Sequence, residues 1–465
     1  MLIDRHPYED VFARVPALAT QTDPVLRHLD QLLDDEVLYL RVRADLAMRY
    51  PLTRVHGRHS TPAEVVLRLL LVKHLYDWSY RETERRVADS LVLRWFCRVY
   101  FQSVPDATTL LRWAQTIQID TVHARNDRVV HLAQQARVTR GRKLRIDGTV
   151  VQTTIHHPTD SSLLADGVRV LSRLIRRSKP YVQEALGGVR DAFRTRMRTM
   201  RQGLQTLHRL RRRRGDAHAA QRVAVYTKLV TATRATVTQA ERVHAALADA
   251  GAAVPRRIAR LQAQFDQFLP RIRQVIGQTE RRVFAAEAVP AREKLVSLFE
   301  PHTRIIPRHK GGAAVEFGRL VVIDEVEGGI VTRFAVLADK TAEQGELAPA
   351  VRHHQRLFGR PPDLVAGDRG LHAAANERIA RDAGVRHLVI PRSGTVTAAQ
   401  RAHEQTRAWR RRYRWRAGIE GRLSSLRRDY GLRCCPDHGE IGLVRHVGWG
   451  IMASNLRQIG RKRAA

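Results

Sequence analysis

The sequence predicts a mixed α and β chain (α+β or α/β), with a five-strand mixed sheet covered by helices. An all-helical N-terminal region precedes the sheet, and a large helical insertion follows its first strand. Three observations lead there. β-Branched residues gather in "KLRIDGTVVQTTIH", from about 143 to 156, and return only at "AAVEFGRLVVIDEVEGGIVTRFAVLAD". Between them, from about 163 to 300, the chain is rich in Arg, Ala, Gln and Leu and has almost no strand character. Beyond the second cluster, short apolar runs alternate with helical stretches.

Taken in order, the segment from about 60 to 120 reads as short helices with start signals. In "STPAE", Thr61 is placed as a cap, Pro62 in the first turn and Glu64 at the capping-box position. "SYRE" repeats the pattern with Ser79 and Glu82, and Asp106 is expected to cap a third helix. Such a series is compatible with helix-turn-helix DNA binding. The insertion is expected to form several long helices, punctuated at Gly215–Asp216, at "GAAVP" (251–255) and at Pro290. Its "RLRRRRG" run is expected to be a solvated face. In the second half, "EGG" at 327–329 reads as a hairpin turn. A helix over about 342–357, a short strand in "PPDLVAGDRG", a helix over about 371–383, a strand in "HLVIPR" and a last long helix follow. With the insertion removed, this is the element order of an RNase H-like domain. The boundaries read from the sequence are 1–135 for the helical DNA-binding region and 140–162 for the first part of the catalytic domain. The insertion is placed at 163–305 and the remainder at 306–465.

The charge points to a partner. Hydrophobic residues at 43% and charged residues at 27% fit an ordinary globular protein, but the net charge of +35, from 81 basic against 46 acidic residues, does not. Self-repulsion of that size calls for a polyanion, and nucleic acid is the usual one. Cys97, Cys434 and Cys435 form neither a disulfide framework nor a paired CxxC zinc site, and Cys434 and Cys435 are expected to be reduced thiols. No secretion signal is visible, and the apolar runs are too short to cross a bilayer, so the expected place is the cytoplasm, in association with the nucleoid.

Three carboxylates stand out by position. Asp147 lies in the first strand, Asp368 just after a short apolar strand, and Glu420 on the last long helix, amid arginines. Singly, each has an ordinary explanation as turn former, helix cap or surface ion-pair partner. Jointly, they are what phosphodiester chemistry with two Mg²⁺ ions needs: a few hard oxygen ligands brought from distant parts of the chain. Around Glu420, the residues Tyr413, Arg416 and Arg427 fall within one narrow helical arc, at about 100° per residue. One face thus presents a phenol, two guanidiniums and a carboxylate, suited to DNA phosphates beside a metal ion.

These residues resemble the bacterial insertion-sequence transposases of the DDE class, which have an RNase H-like core. Tyr413, Arg416 and Glu420 match the group's Y-x2-R-x3-E-x6-K pattern, with Arg427 in place of the final lysine. "DGT" at 147–149 and "GDRG" at 367–370 resemble the two aspartate motifs. "TTIHHPTDSSLLADGVRVL" resembles the ISNCY-type branch, and the 60–117 region resembles the helical N-terminal domain of these enzymes. The resemblance implies an enzyme that binds the terminal inverted repeats of an insertion sequence as double-stranded DNA. It would cleave there with Mg²⁺, for which Mn²⁺ would substitute, and join the freed 3′-hydroxyls to target DNA. Asp147, Asp368 and Glu420 would be both the catalytic residues and the metal ligands, in a homodimer or higher synaptic complex with no membrane partner. The insertion is expected to help hold that complex. A metal-dependent nuclease or recombinase without strand transfer, and a non-enzymatic DNA-binding relic, are the alternatives.

Among other acids, Asp160 is expected to be a loop acid or helix cap, and Asp324 and Glu325 surface residues. The His156–His157 and His353–His354 pairs are not expected to bind metal, and Trp409 and Trp415 are expected to pack in the core or on the DNA backbone.

Overall fold

The computed structural model describes residues 23–49, 60–189, 191–249, 256–307, 315–337, 340–392, 394 and 396–464. The chain divides into two compact units, Met1–Thr154 with Gly318–Ala465, and Ile155–Phe317. The architecture is mixed α and β with a helical majority and a mixed sheet.

The first unit begins with helices α1 (Pro24–Leu33), α2 (Glu36–Met48), α3 (Ala63–Leu75), α4 (Tyr80–Asp89), α5 (Leu91–Phe96), α6 (Ala107–Thr116) and α7 (Ile119–Gln135). Two of the expected caps form: Ser79 accepts from the Glu82 N–H at 3.1 Å, and Asp106 from Thr108 and Thr109 N–H at 2.9 and 3.1 Å. The third does not. Helix α3 starts at Ala63 with Pro62 at its cap position and no capping side chain. Glu64 is diverted into a bond with Arg68, 3.0 Å away, because a fully buried guanidinium outcompetes an N-terminal amide for the carboxylate.

The sheet is built on β1 (Lys143–Thr153), which pairs antiparallel with β3 (Val315–Val326) and parallel with β5 (Leu364–Gly367). Strand β4 (Ile330–Val336) lies antiparallel beyond β3, and β6 (His387–Val389) parallel beyond β5. Within this unit the order is therefore β4-β3-β1-β5-β6, with the two-residue β7 (Cys434–Cys435) on the far end of β1. The predicted hairpin joins β3 to β4 through Glu327, Gly328 and Gly329, and both glycines take the positive φ (84° and 75°) that such a turn requires. Helix α12 (Leu347–Phe358) is preceded by a 3₁₀ turn over Lys340–Glu346, and α13 (Ala374–Asp382) by one over Arg369–Leu371. Helices α14 (Ala398–Gln405), α15 (Arg407–Asp429) and α16 (Gly439–Ala464) complete the unit.

Helix α16 packs on α1, α3 and α7, so the N-terminal helices and the C-terminal helix share one core with the sheet. Two buried asparagines seal the sheet's edge strand. Asn455 accepts from the Val331 N–H at 2.8 Å and donates to the Val331 carbonyl at 2.7 Å, while Asn126 donates to the Thr332 carbonyl at 3.0 Å. The unpaired backbone of β4 is thus satisfied by side chains rather than left open to another strand. No helix among the described residues is long and apolar enough to cross a membrane.

The second unit holds the insertion. Its helices are α8 (Asp160–Leu186), α9 (Met197–Leu210), α10 (Asp216–Asp249) and α11 (Arg256–Val283), followed by β2 (Arg304–Pro307). One apolar cluster joins them, including Leu163, Leu171 and Leu174 of α8, Met200 of α9, Val243 and Leu247 of α10, and Phe265 and Ile272 of α11. These recur at three- and four-residue steps, as an amphipathic helix requires. Its buried threonines bond back to the carbonyl four residues earlier (Thr233 to Leu229, Thr236 to Ala232, each 2.8 Å), which satisfies those two hydroxyls. The Gly215–Asp216 break falls where the sequence placed it, whereas "GAAVP" lies outside the described residues. Arg211–Arg214 are exposed, as expected of a solvated run.

Candidate active site

Strand β1 alternates. Leu144 and Ile146 are fully buried on one face, while Arg145, Asp147 and Thr149 point to the other, where α15 lies. Ile146 pairs with Gly367 across the parallel β1–β5 ladder, so the next residue of each strand, Asp147 and Asp368, stand at the same level. The register thus brings together two acids 221 positions apart in sequence.

Helix α15 delivers the third. It is anchored from below by Ile419, Leu423 and Leu426, and by Arg422, which bonds Glu325 of β3 at 3.3 Å and Ser454 of α16 at 3.1 Å. Arg145 holds it from the sheet, donating to the Trp415 carbonyl at 2.7 Å and to Glu325 at 2.8 Å. Trp409, Tyr413 and Trp415 pack against Leu364, Ala366 and Val389, and Trp409 stacks on Tyr413 at 4.8 Å. That is the packing role expected for both tryptophans. It leaves Glu420 on the open side, its side chain 65% exposed.

Arg416 connects the acids. Its guanidinium donates to Asp147 at 2.6 Å and to Glu420 at 3.3 Å. Asp147 is 8% exposed, and its carboxyl is pushed up to about 6: burial raises it, Arg416 opposes, and the negative charges of Asp368 and Glu420 add to the rise. Asp368 and Glu420 thus both act electrostatically on Asp147. Asp368 also does the ordinary thing considered for it, accepting from the Gly370 N–H at 2.9 Å to cap the 3₁₀ turn.

A fourth carboxylate, Glu343, escaped sequence reasoning. It is 7% exposed and reaches in from the 3₁₀ turn before α12. A Cβ on Gly148 would stand 3.0 Å from its Oε1, and a Cβ on Gly370 would stand 3.1 Å from its Oε2 and 3.0 Å from Asp368 Oδ1. Glycine at both "DGT" and "GDRG" is what admits this side chain, and those glycines are the only sequence signal it left.

Two expectations are corrected. Asp324 and Glu325 are not on the surface; they are 0% and 1% exposed, because the antiparallel partner of β1 needs acids to meet Arg333 (2.9 Å), Arg145 and Arg422. Asp160 is not the cap of α8, which is Thr159; it is buried and pairs with Arg282 at 2.6 Å within the insertion, so it is a structural ion pair there. The histidine pairs take separate partners. His156 faces Asp166 at 3.3 Å and His157 the edge of Phe317, while His353 faces Asp127 at 3.1 Å and His354 meets the Gly141 carbonyl at 2.9 Å. None of the three cysteines is in a disulfide.

Residues 15–116 match the family described as "Transposase domain (DUF772)", a stretch that takes in α1 to α6 and ends before the carboxylates. An uncharacterised protein, ORF8 in the nfe locus of Rhizobium meliloti, is 28% identical over 131 residues, 27% of this chain. The matched region spans 62% of that relative's length. No solved structure matches. The family match thus concerns the N-terminal helices alone, and the chain spans less than two thirds of the length of the relative it matches.

Proposed function

We propose that this chain is a DDE-class DNA transposase with an RNase H-like core, of the ISNCY-like branch, acting on the inverted-repeat ends of an insertion sequence and on target DNA. The observation that carries the proposal is the level placement of Asp147 and Asp368 on adjacent parallel strands, with Glu420 linked to Asp147 through Arg416. The strand order β4-β3-β1-β5-β6, with β1 central and only its β3 side antiparallel, supports the RNase H-like reading. The domain match at 15–116 and the net charge of +35 support a DNA-acting transposase.

The donor set fits a hard divalent cation, because it is all carboxylate and Asp147, raised to about 6 chiefly by burial, also feels the negative charges of Asp368 and Glu420. Asp147, Asp368 and Glu420 would hold Mg²⁺ or Mn²⁺, with Glu343 alongside. When bound, such ions activate a water or a 3′-hydroxyl and stabilise the departing oxygen. The chain's own residues do the rest. Asp147, fixed by the sheet, sets the position of the reacting phosphate. Arg416 balances two of the acids from the helix face that also carries Arg427, and these guanidiniums bind DNA phosphates next to the scissile bond. Tyr413, stacked on Trp409, lends that face a rigid phenol.

The test is Mg²⁺-dependent cleavage and joining of the element's own end DNA by the wild type and Glu420→Gln. Joined products from the wild type, and none from a variant that still binds DNA, are expected. Cleavage without joining would move the chain to the nucleases, and DNA binding with no metal-dependent chemistry in either protein would leave a binding relic.

A further inference from the structure

The turn between α15 and α16 holds a second cluster with different chemistry. Cys435 ends β7, Asp437 follows two residues on, and His446 projects from α16. Their sulfur, carboxylate and ring nitrogen atoms all lie within 4.8 Å of one another. Cys435 and His446 are each 1% exposed.

His446 is the informative member. Its Nε2 sits 2.9 Å from the Gly431 carbonyl oxygen, which can only accept, so the neutral ring carries its proton there. Nδ1 then presents a bare lone pair, and this buried atom has no hydrogen-bond partner. What it faces is Asp437 Oδ2, 3.8 Å away, another electron donor and too distant for a hydrogen bond. A buried nitrogen lone pair aimed at a carboxylate and a thiol is costly unless a cation lies between them. The other Asp437 oxygen is already held, accepting from the Tyr80 hydroxyl at 3.2 Å.

The surrounding charge agrees. Lys73, 3% exposed, interacts electrostatically with Asp437, Asp77 and Cys435. Arg445 also interacts with Asp437, and burial holds Cys435 as a thiol in the metal-free chain, so it is the cation that would draw off the thiol proton and add the third anionic donor.

We propose that Cys435 Sγ, Asp437 Oδ2 and His446 Nδ1 are the protein ligands of a structural divalent metal site of zinc-like preference. A sulfur, nitrogen and oxygen set suits a borderline-soft tetrahedral ion rather than Mg²⁺. The His446–Gly431 bond is the kind of outer contact that fixes a metal-bound imidazole. Zinc bond lengths put tetrahedral ligand pairs roughly 3.3–3.7 Å apart, so the three side chains need to close by about an ångström. A cavity of about 30 Å³ bordered by Tyr80, Asp437, Arg445 and Trp449 adjoins the Asp437 side of the cluster and has room for a water. Binding transfers the Cys435 thiol proton to solvent and forms the metal–sulfur bond without any change of oxidation state. The ion would clip the end of β7 to α16, just after the helix that carries Glu420.

The probe is Co²⁺ alone, added to the metal-stripped full-length chain and followed by its visible and near-ultraviolet absorption, with circular dichroism to show that each variant is folded. One equivalent should give tetrahedral d–d bands and a thiolate-to-cobalt charge-transfer band, both unchanged in Cys434→Ser and in Asp147→Asn and displaced by Zn²⁺. Cys435→Ser should lose the charge-transfer band, and His446→Gln should bind at least tenfold more weakly. A wild-type protein that takes up no thiolate-bound cobalt overturns the site. So does a band that survives Cys435→Ser and vanishes in Cys434→Ser. Cobalt on the Asp147 carboxylates would give no thiolate band, so failure here and failure of the transposase reading are distinguishable.

Discussion

Two clusters of acids and arginines in the first unit look alike in sequence and differ in structure. Among the N-terminal helices, Arg68 is fully buried and spends its guanidinium completely, on Asp30 (2.6 Å), Glu64 (3.0 Å), the Phe96 carbonyl (3.0 Å) and Asp34 (3.3 Å), while Arg98 adds a second bond to Asp30. Around Arg416 the arrangement is open. Its Nε is unpaired, Glu420 is mostly exposed, and Asp147 remains raised to about 6 despite an ion pair at 2.6 Å. A closed network satisfies its charges and holds helices together. An open one keeps negative charge in excess of its cation, which suits a site that receives another.

The largest effect expected from this contrast is on the closed side. Arg68→Ala should cost about 3–5 kcal/mol in urea unfolding, because it leaves buried Asp30 and Glu64 with Arg98 as their remaining cation and the Phe96 carbonyl without its donor. A loss under about 1 kcal/mol would mean that the cluster is not scaffolding. On the open side the sign should reverse. Between roughly pH 4 and 6 native Asp147 keeps a proton that the unfolded chain has released, so its contribution to stability falls as pH rises through that window. Asp147→Asn should therefore stabilise the metal-free protein at pH 7, by up to about 3 kcal/mol, with the gain vanishing near pH 4. Thermal melts in chelator at both pH values check this, and destabilisation at pH 7 would place Asp147 with Arg68 as a structural partner.

Smaller effects sharpen the boundary of the open cluster. Glu343→Gln should slow Mg²⁺-dependent DNA cleavage about 10–100-fold while leaving DNA affinity intact, since it borders Asp368 without forming the level pair. An unchanged rate would remove it from the site. Least affected should be Arg85→Ala: Arg85 pairs with Glu82 at 2.8 Å on an exposed surface, and its loss should leave the urea-unfolding midpoint essentially where it was.

How much of this was legible in the sequence depended on the range of the interaction. Local signals carried well. The Ser79 and Asp106 caps, the double-glycine hairpin at 328–329 and the Gly215 break all depend on a few neighbouring residues. Thr61 and Glu64 misled because a distant competitor, Arg68 with its partners on α1, claimed the carboxylate. The acid triad could be read as a set because strand and helix order implies adjacency. What order cannot supply is depth: Asp324 and Glu325 look like hairpin surface until Arg333, Arg145 and Arg422 arrive from three other elements. Glu343 was invisible for the same reason, since only the packed structure shows a carboxylate filling the space that Gly148 and Gly370 leave.

The most direct test of the central claim is single-turnover nicking of the element's end DNA in Mg²⁺ by the wild type and Asp147→Asn, at protein concentrations where both bind the DNA fully. The wild type should nick and the variant should fall to background. Equal nicking by the two proteins would contradict the assignment of the level Asp147–Asp368 pair as the catalytic centre.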